Sequence, residues 1–247
     1  MNVVILSVVS VSVIALLCGV LLVVAAKVMA VEENPLFAPI RECLPGANCG
    51  ACGYPGCDGY ANALAAGDET RTNLCVPGGN DCAAALANVL GTEAAAVEKK
   101  VAAVFCGGDC TKTTGEGDEK SCKYGCTGCG ACAAACPKNA ITVENGIASV
   151  NKELCIGCGL CEKTCPKHVI HMIPEHQKVI DCCSNPEFGK PVMEACKAGC
   201  IGCSKCSKVC PEGAITMEGN LALVDADKCT GCGTCVGACP TKCMKSI

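Results

Sequence analysis

One run constrains this chain more than any other. Residues 125–166 contain GCTGCGACAAACP and, after a spacer, LCIGCGLCEKTCP. Cys126, Cys129, Cys132 and Cys136-Pro137 follow the spacing C-x2-C-x2-C-x3-C-P, and Cys155, Cys158, Cys161 and Cys165-Pro166 repeat it. Three thiolates in one tight turn reach three corners of a cube, and the fourth, beside its proline, is carried to the neighbouring cube. The run therefore predicts two exchanged [4Fe-4S] sites: Cys126, Cys129, Cys132 with Cys165, and Cys155, Cys158, Cys161 with Cys136. The module then recurs. Cys200, Cys203 and Cys206 with Cys239, and Cys229, Cys232 and Cys235 with Cys210, predict a second exchanged pair. Structural zinc uses pairs of C-x2-C and has no need of a third cysteine two residues on. With 30 cysteines in 247 residues the chain has the cysteine content of a disulfide scaffold. Disulfides staple distant segments, however, whereas these cysteines crowd into four similar short loops.

Three phenylalanines, three tyrosines and no tryptophan cannot furnish an ordinary core for this length. The clusters must help to fill the interior, so folding is expected to be coupled to metal binding. A formal charge of −4, made more negative by each cube, excludes nucleic acid as a natural partner.

Val3–Ala26 carry no charge and are long enough to cross a bilayer as a helix. No basic residue precedes the run, and it exceeds the h-region of a signal peptide. Lys27 follows it, which places the C-terminal domains in the cytoplasm by the positive-inside rule. Val31–Pro45 read as a proline-bearing tether. Beyond it Cys49, Cys52, Cys57 and Cys75, at C-x2-C-x4-C-x17-C among many glycines, predict a further [4Fe-4S] site, with a four-cysteine zinc site as the alternative. Alanine-rich helices are expected at Asp58–Ala66 and Asp81–Leu90, stopped by Gly67 and Gly91. Thr92–Ala103 suits a helix, and Val101–Phe105 suits a strand. Cys43 and Cys82 fall outside the tetrad.

The last 140 or so residues are a duplication. Cys122 matches Cys196, each four residues before the first ferredoxin cysteine, and Cys106 aligns with Cys182. These leftovers allow a sixth cluster on Cys106, Cys122, Cys182 and Cys196, with Cys110 or Cys183 as substitutes; buried, inert thiols are the alternative. Hairpins are predicted at Ala140–Val143 with Ile147–Val150 and at Ala214–Met217 with Leu221–Val224. The fold class is thus α+β: a single N-terminal transmembrane helix (1–30), a small helical 4Fe-4S domain (31–95) and duplicated two-cluster ferredoxin-like units (96–247, copies about 104–178 and 179–247).

The sequence has no Gly-x-Gly-x-x-Gly after a strand, no P-loop and no nucleophile arrangement, so no flavin or NAD site and no catalytic residue is expected on this chain. The chemistry is electron transfer by five [4Fe-4S] clusters, or six. Lys138, Lys152, Lys163, Lys167, Lys205, Lys208 and Lys228 surround the cysteine loops and are read as solvated surface charges or docking groups.

One uncharged N-terminal span, then ANCGACGYPGCDGYA with Cys75-Val76-Pro77-Gly78-Gly79, then GCTGCGACAAACP and GCIGCSKCSKVCP, resembles the B subunit of the Rnf ion-translocating electron transport complex. The Cys49–Cys75 module is the most specific part, because generic polyferredoxins lack it. The resemblance implies an electron-transfer component on the inner (cytoplasmic) membrane that accepts electrons from reduced soluble ferredoxin. It also implies an NAD- and FMN-binding partner and flavin-bearing, multi-span membrane partners. A stand-alone membrane-anchored polyferredoxin feeding another reductase is the competing reading.

Overall fold

The computed structural model describes residues 12–24, 34–108 and 122–247. Residues 12–24 form a helix, α1, whose apolar side chains are exposed, Leu16 and Leu21 each by 69%. Among the described residues no helix is long and apolar enough to cross a membrane. The rest of the span expected at Val3–Ala26, residues 3–11 and 25–26, lies outside them.

The next unit is helical. α2 (Phe37–Glu42), α3 (Gly56–Ala66) and α4 (Gly79–Leu90) enclose a core of Ile40, Tyr60, Leu64 and Leu86. α3 and α4 stop at Gly67 (φ +81°) and Gly91 (φ +67°), where the left-handed turn is open to glycine at little cost. The tether expected at Val31–Pro45 needs correction. Phe37–Glu42 within it form α2, with Ile40 fully buried, and Leu44, just past the helix end, joins the same core. Glu69 organises the loop after α3. Its carboxylate accepts from the backbone N–H of Thr70 and Arg71 and from the Arg71 side chain, and it also binds the Tyr54 hydroxyl. The Arg71 guanidinium, above all, holds that carboxyl down to about 2.

Residues 93–99 form no regular element, and the strand reading prevails after them: β1 (Lys100–Val104) pairs antiparallel with β4 (Ile170–Pro174). Copy 1 therefore starts at Lys100. Within it α5 (Ala131–Ala134), the hairpin β2 (Ile141–Glu144) and β3 (Ile147–Val150), and α6 (Leu160–Thr164) follow in order. Copy 2 repeats the plan. β5 (Val179–Asp181) pairs with β8 (Met244–Ser246), enclosing α7 (Lys190–Ala195), α8 (Lys205–Val209), the hairpin β6 (Ile215–Glu218) and β7 (Leu221–Val224), and α9 (Thr234–Ala238). The two hairpins have identical register, Ile141 facing Val150 as Ile215 faces Val224. In each copy cysteines make up a large part of the core, as with Cys126, Cys132, Cys161 and Cys165 packed on Ile141 and Val169.

Strand pairing also corrects one alignment. Val104 faces Ile170 and Asp181 faces Met244, and Ile170 and Met244 each stand five residues after the cysteine of a Cys-Pro pair. Val104 therefore matches Asp181, and Cys106 matches Cys183 rather than Cys182. The adjacent Cys182-Cys183 pair makes both alignments plausible on cysteines alone, and the ladder selects one. Side-chain contacts agree: the Cys126 N–H reaches Cys106 Sγ at 3.3 Å, and the matching Cys200 N–H reaches Cys183.

Candidate metal centres

Each ligand loop turns through a left-handed residue on either side of its second cysteine. In the first loop these are Gly128 (φ +66°) and Gly130 (φ +77°). Only a residue tolerating φ > 0 fits such turns cheaply, and in the third loop Ser204 (φ +55°) takes the second position. A short helix then begins, carries the third cysteine inward, and ends at the fourth, whose proline forbids continuation. Cys132, Cys161, Cys206 and Cys235 are buried at this third place.

Cys126, Cys129, Cys132 and Cys165 line one hollow together with Val143, Ala148 and Ile170. Cys200, Cys203, Cys206 and Cys239 line its counterpart in copy 2, where Met217 and Met244 supply the apolar wall. Cys136, Cys155, Cys158 and Cys161 form a third group. Burial, followed by the neighbouring Cys155 and Cys158 charges, pushes the Cys161 thiol up to about 12, and Cys158 in turn feels Cys136 and Cys155. In the fourth group burial, then the Cys229 and Cys210 charges, raises Cys235. Cys232 stands on the same loop, exposed, 3.3 Å from the Thr234 hydroxyl. Thiols brought this close repel as thiolates and are at ease only around a soft cation that takes up the charge. Backbone N–H groups point at ligand sulfurs from Ala102 to Cys155 (3.4 Å) and from Ala140 to Cys136 (3.3 Å), the kind of contact that sets the potential of an iron-sulfur centre.

In the helical unit Cys49, Cys52, Cys57 and Cys75 line a hollow walled by Leu44, Tyr60 and Pro77. Asn48 Oδ1 accepts the Cys57 N–H at 2.8 Å and fixes the start of α3. Cys82 lies behind Cys75, and its S–H donates to the Cys75 sulfur, which lowers Cys75 to about 7 and raises Cys82. Gly78 makes this approach possible, since a Cβ there would lie 2.5 Å from Cys82 Cβ and 3.1 Å from Cys75 Sγ. Ligand spacing leaves Cys82 without a role; its place one turn into the helix after Cys75-Val-Pro-Gly-Gly is the signal that could give it one.

The unit is docked on copy 1. Lys163 of α6 donates from Nζ to the carbonyl oxygens of Cys49 (3.0 Å) and Gly50 (3.4 Å), and the Cys49 charge is felt at Cys158. Gly157 in the same loop packs against Val76 and the Lys100 carbonyl, leaving no room for a side chain.

The leftover cysteines gather where the copies meet. A Cβ on Gly125 would lie 3.4 Å from Cys106 Sγ and 3.6 Å from Cys122 Sγ, a Cβ on Gly107 2.9 Å from Cys182 Cβ, and a Cβ on Gly108 2.5 Å from Cys196 Sγ. Cys182 and Cys196 thus flank Gly107 and Gly108, while Cys106 and Cys122 meet at Gly125, and the segment 106–108 is tied to copy 2 by the Gly107 N–H donating to the Cys182 carbonyl at 2.8 Å. Burial pushes Cys182 up to about 11. Cys183 faces instead toward Cys200 and Cys243, and Cys110 lies outside the described residues. Cys243, buried beside the third ligand loop, is likewise left out by the motif spacing. The tell-tale is its position, four residues after Cys239, where the other three motifs have Ala140, Val169 and Ala214.

Comparison with known proteins agrees with this layout. A family model described as a putative Fe-S cluster matches residues 44–77. Models described as a 4Fe-4S dicluster domain match 125–169, 199–243 and 154–215. The B subunit of the Na(+)-translocating ferredoxin:NAD(+) oxidoreductase complex of Acetobacterium woodii is 42% identical over 93% of this chain and 74% of its own. The proton-translocating counterpart of Clostridium ljungdahlii is 42% identical over 100% of this chain and 94% of its own. The B subunit of the ion-translocating oxidoreductase complex of Methanosarcina acetivorans is 38% identical over 92% of both chains. Its namesake from Rhodobacter capsulatus matches only 53% of this chain, at 40% identity. Similarity that runs through the helical unit and both ferredoxin copies means that this chain belongs to the family of B subunits of ion-translocating ferredoxin:NAD(+) oxidoreductase complexes.

Proposed function

We propose that this chain is the iron-sulfur electron-transfer component of a membrane-bound, ion-translocating ferredoxin:NAD oxidoreductase, taking electrons from reduced ferredoxin and relaying them toward flavin-bearing membrane subunits. This reading is supported by contacts that link the proposed thiol groups, Cys49 with Cys158, the Cys126 N–H with Cys106 Sγ, the Gly107 N–H with the Cys182 carbonyl and Cys183 with Cys200, from which we infer the following order. Cys229, Cys232, Cys235 and Cys210 come first, then Cys200, Cys203, Cys206 and Cys239. Cys106, Cys122, Cys182 and Cys196 follow at the junction, then Cys126, Cys129, Cys132 and Cys165, then Cys155, Cys158, Cys161 and Cys136. Cys49, Cys52, Cys57 and Cys75 come last, next to Cys158. The donor sets fit [4Fe-4S] clusters, being all sulfur, arranged in fours and walled by apolar side chains. When bound, such clusters supply one-electron redox chemistry.

The chain's own residues hold, insulate and aim. Val143, Ala148, Met217 and Met244 keep water from the thiols. Lys163 holds the Cys49 loop on the Cys158 loop, Gly107 and Gly108 let the two copies approach closely, and Gly125 lets Cys106 and Cys122 come together, so that one four-thiol site can be shared. That shared site is the reason to prefer six clusters to five, since without it the copies would be two separate wires. The span Val3–Ala26 anchors the chain in the inner membrane with residues 34–247 on the cytoplasmic side, next to an NAD- and FMN-binding partner and multi-span partners.

The test is anaerobic purification of native membranes on this chain, assayed for ferredoxin-dependent NAD reduction and for co-purifying subunits. Activity together with flavin-bearing, multi-span partners is the expected result. A lone protein that exchanges electrons and reduces no NAD would make it a stand-alone anchored polyferredoxin.

A further inference from the structure

Copy 2 carries a polar pair that copy 1 lacks. Asp181 and Cys243 occupy the places that Val104 and Val169 take in copy 1, and each is only 2% exposed. Cys243 Sγ lies 3.5 Å from Cys239 Sγ. With Cys200 Sγ and a carboxylate oxygen of Asp181 it forms a group whose ligand atoms all fall within 4.8 Å of one another. Asp181 Oδ2 accepts the Ala222 N–H at 3.1 Å, while Oδ1 has no hydrogen-bond partner among the described residues. A buried acceptor left unpaired is costly and calls for a reason, and here it stands in a nest of thiols beside a ligand loop.

We propose that Cys243 is a reserve ligand, a fifth thiol at the site of Cys200, Cys203, Cys206 and Cys239 that can take over the corner held by Cys239. The proposal rests on the ligand set assigned to that site above. Thiolates on different corners of a cube diverge, so two sulfurs in van der Waals contact cannot serve two irons, but either can serve one. In the exchange the Fe–Sγ bond to Cys239 breaks and one to Cys243 forms. The thiol proton of Cys243 passes to the Cys239 sulfur beside it, so no electron is gained or lost and the net charge is unchanged. While Cys239 holds the corner, Cys243 stays at hand, its Sγ within 4.8 Å of the buried Asp181 carboxylate and of Cys200 Sγ. Such a thiol lets this site outlast oxidation or loss of Cys239. At the matching position, four residues after the fourth cysteine, the other three motifs have Ala140, Val169 and Ala214.

The test uses the full-length chain, purified anaerobically, with iron and acid-labile sulfide counted per chain and the cluster type read by EPR. Cys239→Ala is expected to keep the iron of the parent, as is Cys243→Ala, whereas the double variant loses about four irons. Cys165→Ala, the copy 1 counterpart with Val169 in place of the reserve, is expected to lose about four irons, and Cys165→Ala with Val169→Cys to regain them. Loss of four irons or a [3Fe-4S] signal in Cys239→Ala alone overturns the proposal and leaves the ligand set standing. So does a Cys239→Ala chain that aggregates under conditions where Cys165→Ala stays soluble. Full iron in the Cys239→Ala, Cys243→Ala double variant overturns both, because it removes Cys239 from the ligand set.

Discussion

The two ferredoxin copies share their hairpin registers and their ligand loops, and they differ in what their glycines touch. In copy 1, Gly128 packs against the backbone of the β2–β3 turn, with a would-be Cβ 2.6 Å from the Gly146 carbonyl oxygen, and Gly157 packs against the Lys100 carbonyl. In copy 2 the matching Gly202 and Gly231 meet the side chains of Phe188 and Lys178. Copy 1 is thus hemmed in by main chain, part of it from the strand that leads in from the helical unit. Copy 2 is covered by side chains that can move. Duplication preserved the metal-holding frame, and the divergence lies at the faces where each copy meets a neighbour.

The sharpest way to break the symmetry of the copies is at the junction. Cys106 and Cys183 are equivalent by strand register, yet only Cys106 faces Cys122, Cys182 and Cys196. Cys106→Ala is expected to lower iron from about 24 to about 20 per chain and to abolish electron flow between the copies, whereas Cys183→Ala leaves iron at about 24. Equal iron counts in the two variants would show that the junction holds no cluster, or that it draws on the copies symmetrically.

Next in size is the glycine pair. Gly128→Ala and Gly202→Ala both force a side chain onto left-handed backbone, at φ +66° and +70°, a shared cost of about 1–3 kcal/mol. Only Gly128→Ala also collides with main chain that cannot step aside, adding about 1–3 kcal/mol. Phe188, 62% exposed, can swing away from Gly202. Thermal loss of the visible cluster absorbance should therefore come at a clearly lower temperature in Gly128→Ala than in Gly202→Ala.

How far the fold is legible in the sequence follows from the same residues. Ligand spacing is a local property, so Cys126 to Cys165 and Cys200 to Cys239 can be grouped from the sequence, and turn residues such as Asn145-Gly146 mark the hairpins. What the sequence withholds are contacts between distant segments. The pairing of β1 with β4 joins residues some 70 apart, and together with the pairing of β5 with β8 it decides that Cys106 matches Cys183. The membership of Ile40 in the core rests on where α3 and α4 lie, so a helix with one buried face reads as a tether. Asp181 and Cys243 pass for ordinary residues when each is set against its own neighbours and not against Val104 and Val169.

The third expected effect concerns what docks on each copy. Lys163 matches Gly237 in copy 2, so α9, the counterpart of α6, lacks the ammonium that α6 offers the Cys49 and Gly50 carbonyls. Lys163→Ala removes a charge-assisted contact at a solvent-exposed edge, worth about 1 kcal/mol. Faster hydrogen exchange in residues 46–57 and slower electron transfer between the helical unit and copy 1 are expected, with iron content unchanged. Unchanged exchange there would mean that Gly157 against Val76 and Lys100 suffices to hold the unit in place.

The smallest effect separates the copies by salt. Lys123 of copy 1 reaches across the junction to Glu187 of copy 2, with N–O at 3.2 Å, while its ammonium also sits 4.9 Å from the Tyr124 ring centroid. Lys123 is 69% exposed, so the pair is screened and contributes little by itself. Lys123→Ala should loosen residues 185–189 slightly at low ionic strength, as seen by hydrogen exchange. The difference should vanish near 1 M salt, where the screening length falls to about 3 Å. Lys197→Ala, the matching position in copy 2, is the control. An equal effect there, or one that persists in high salt, would assign the change to packing of the lysine stems and not to an ion pair between the copies.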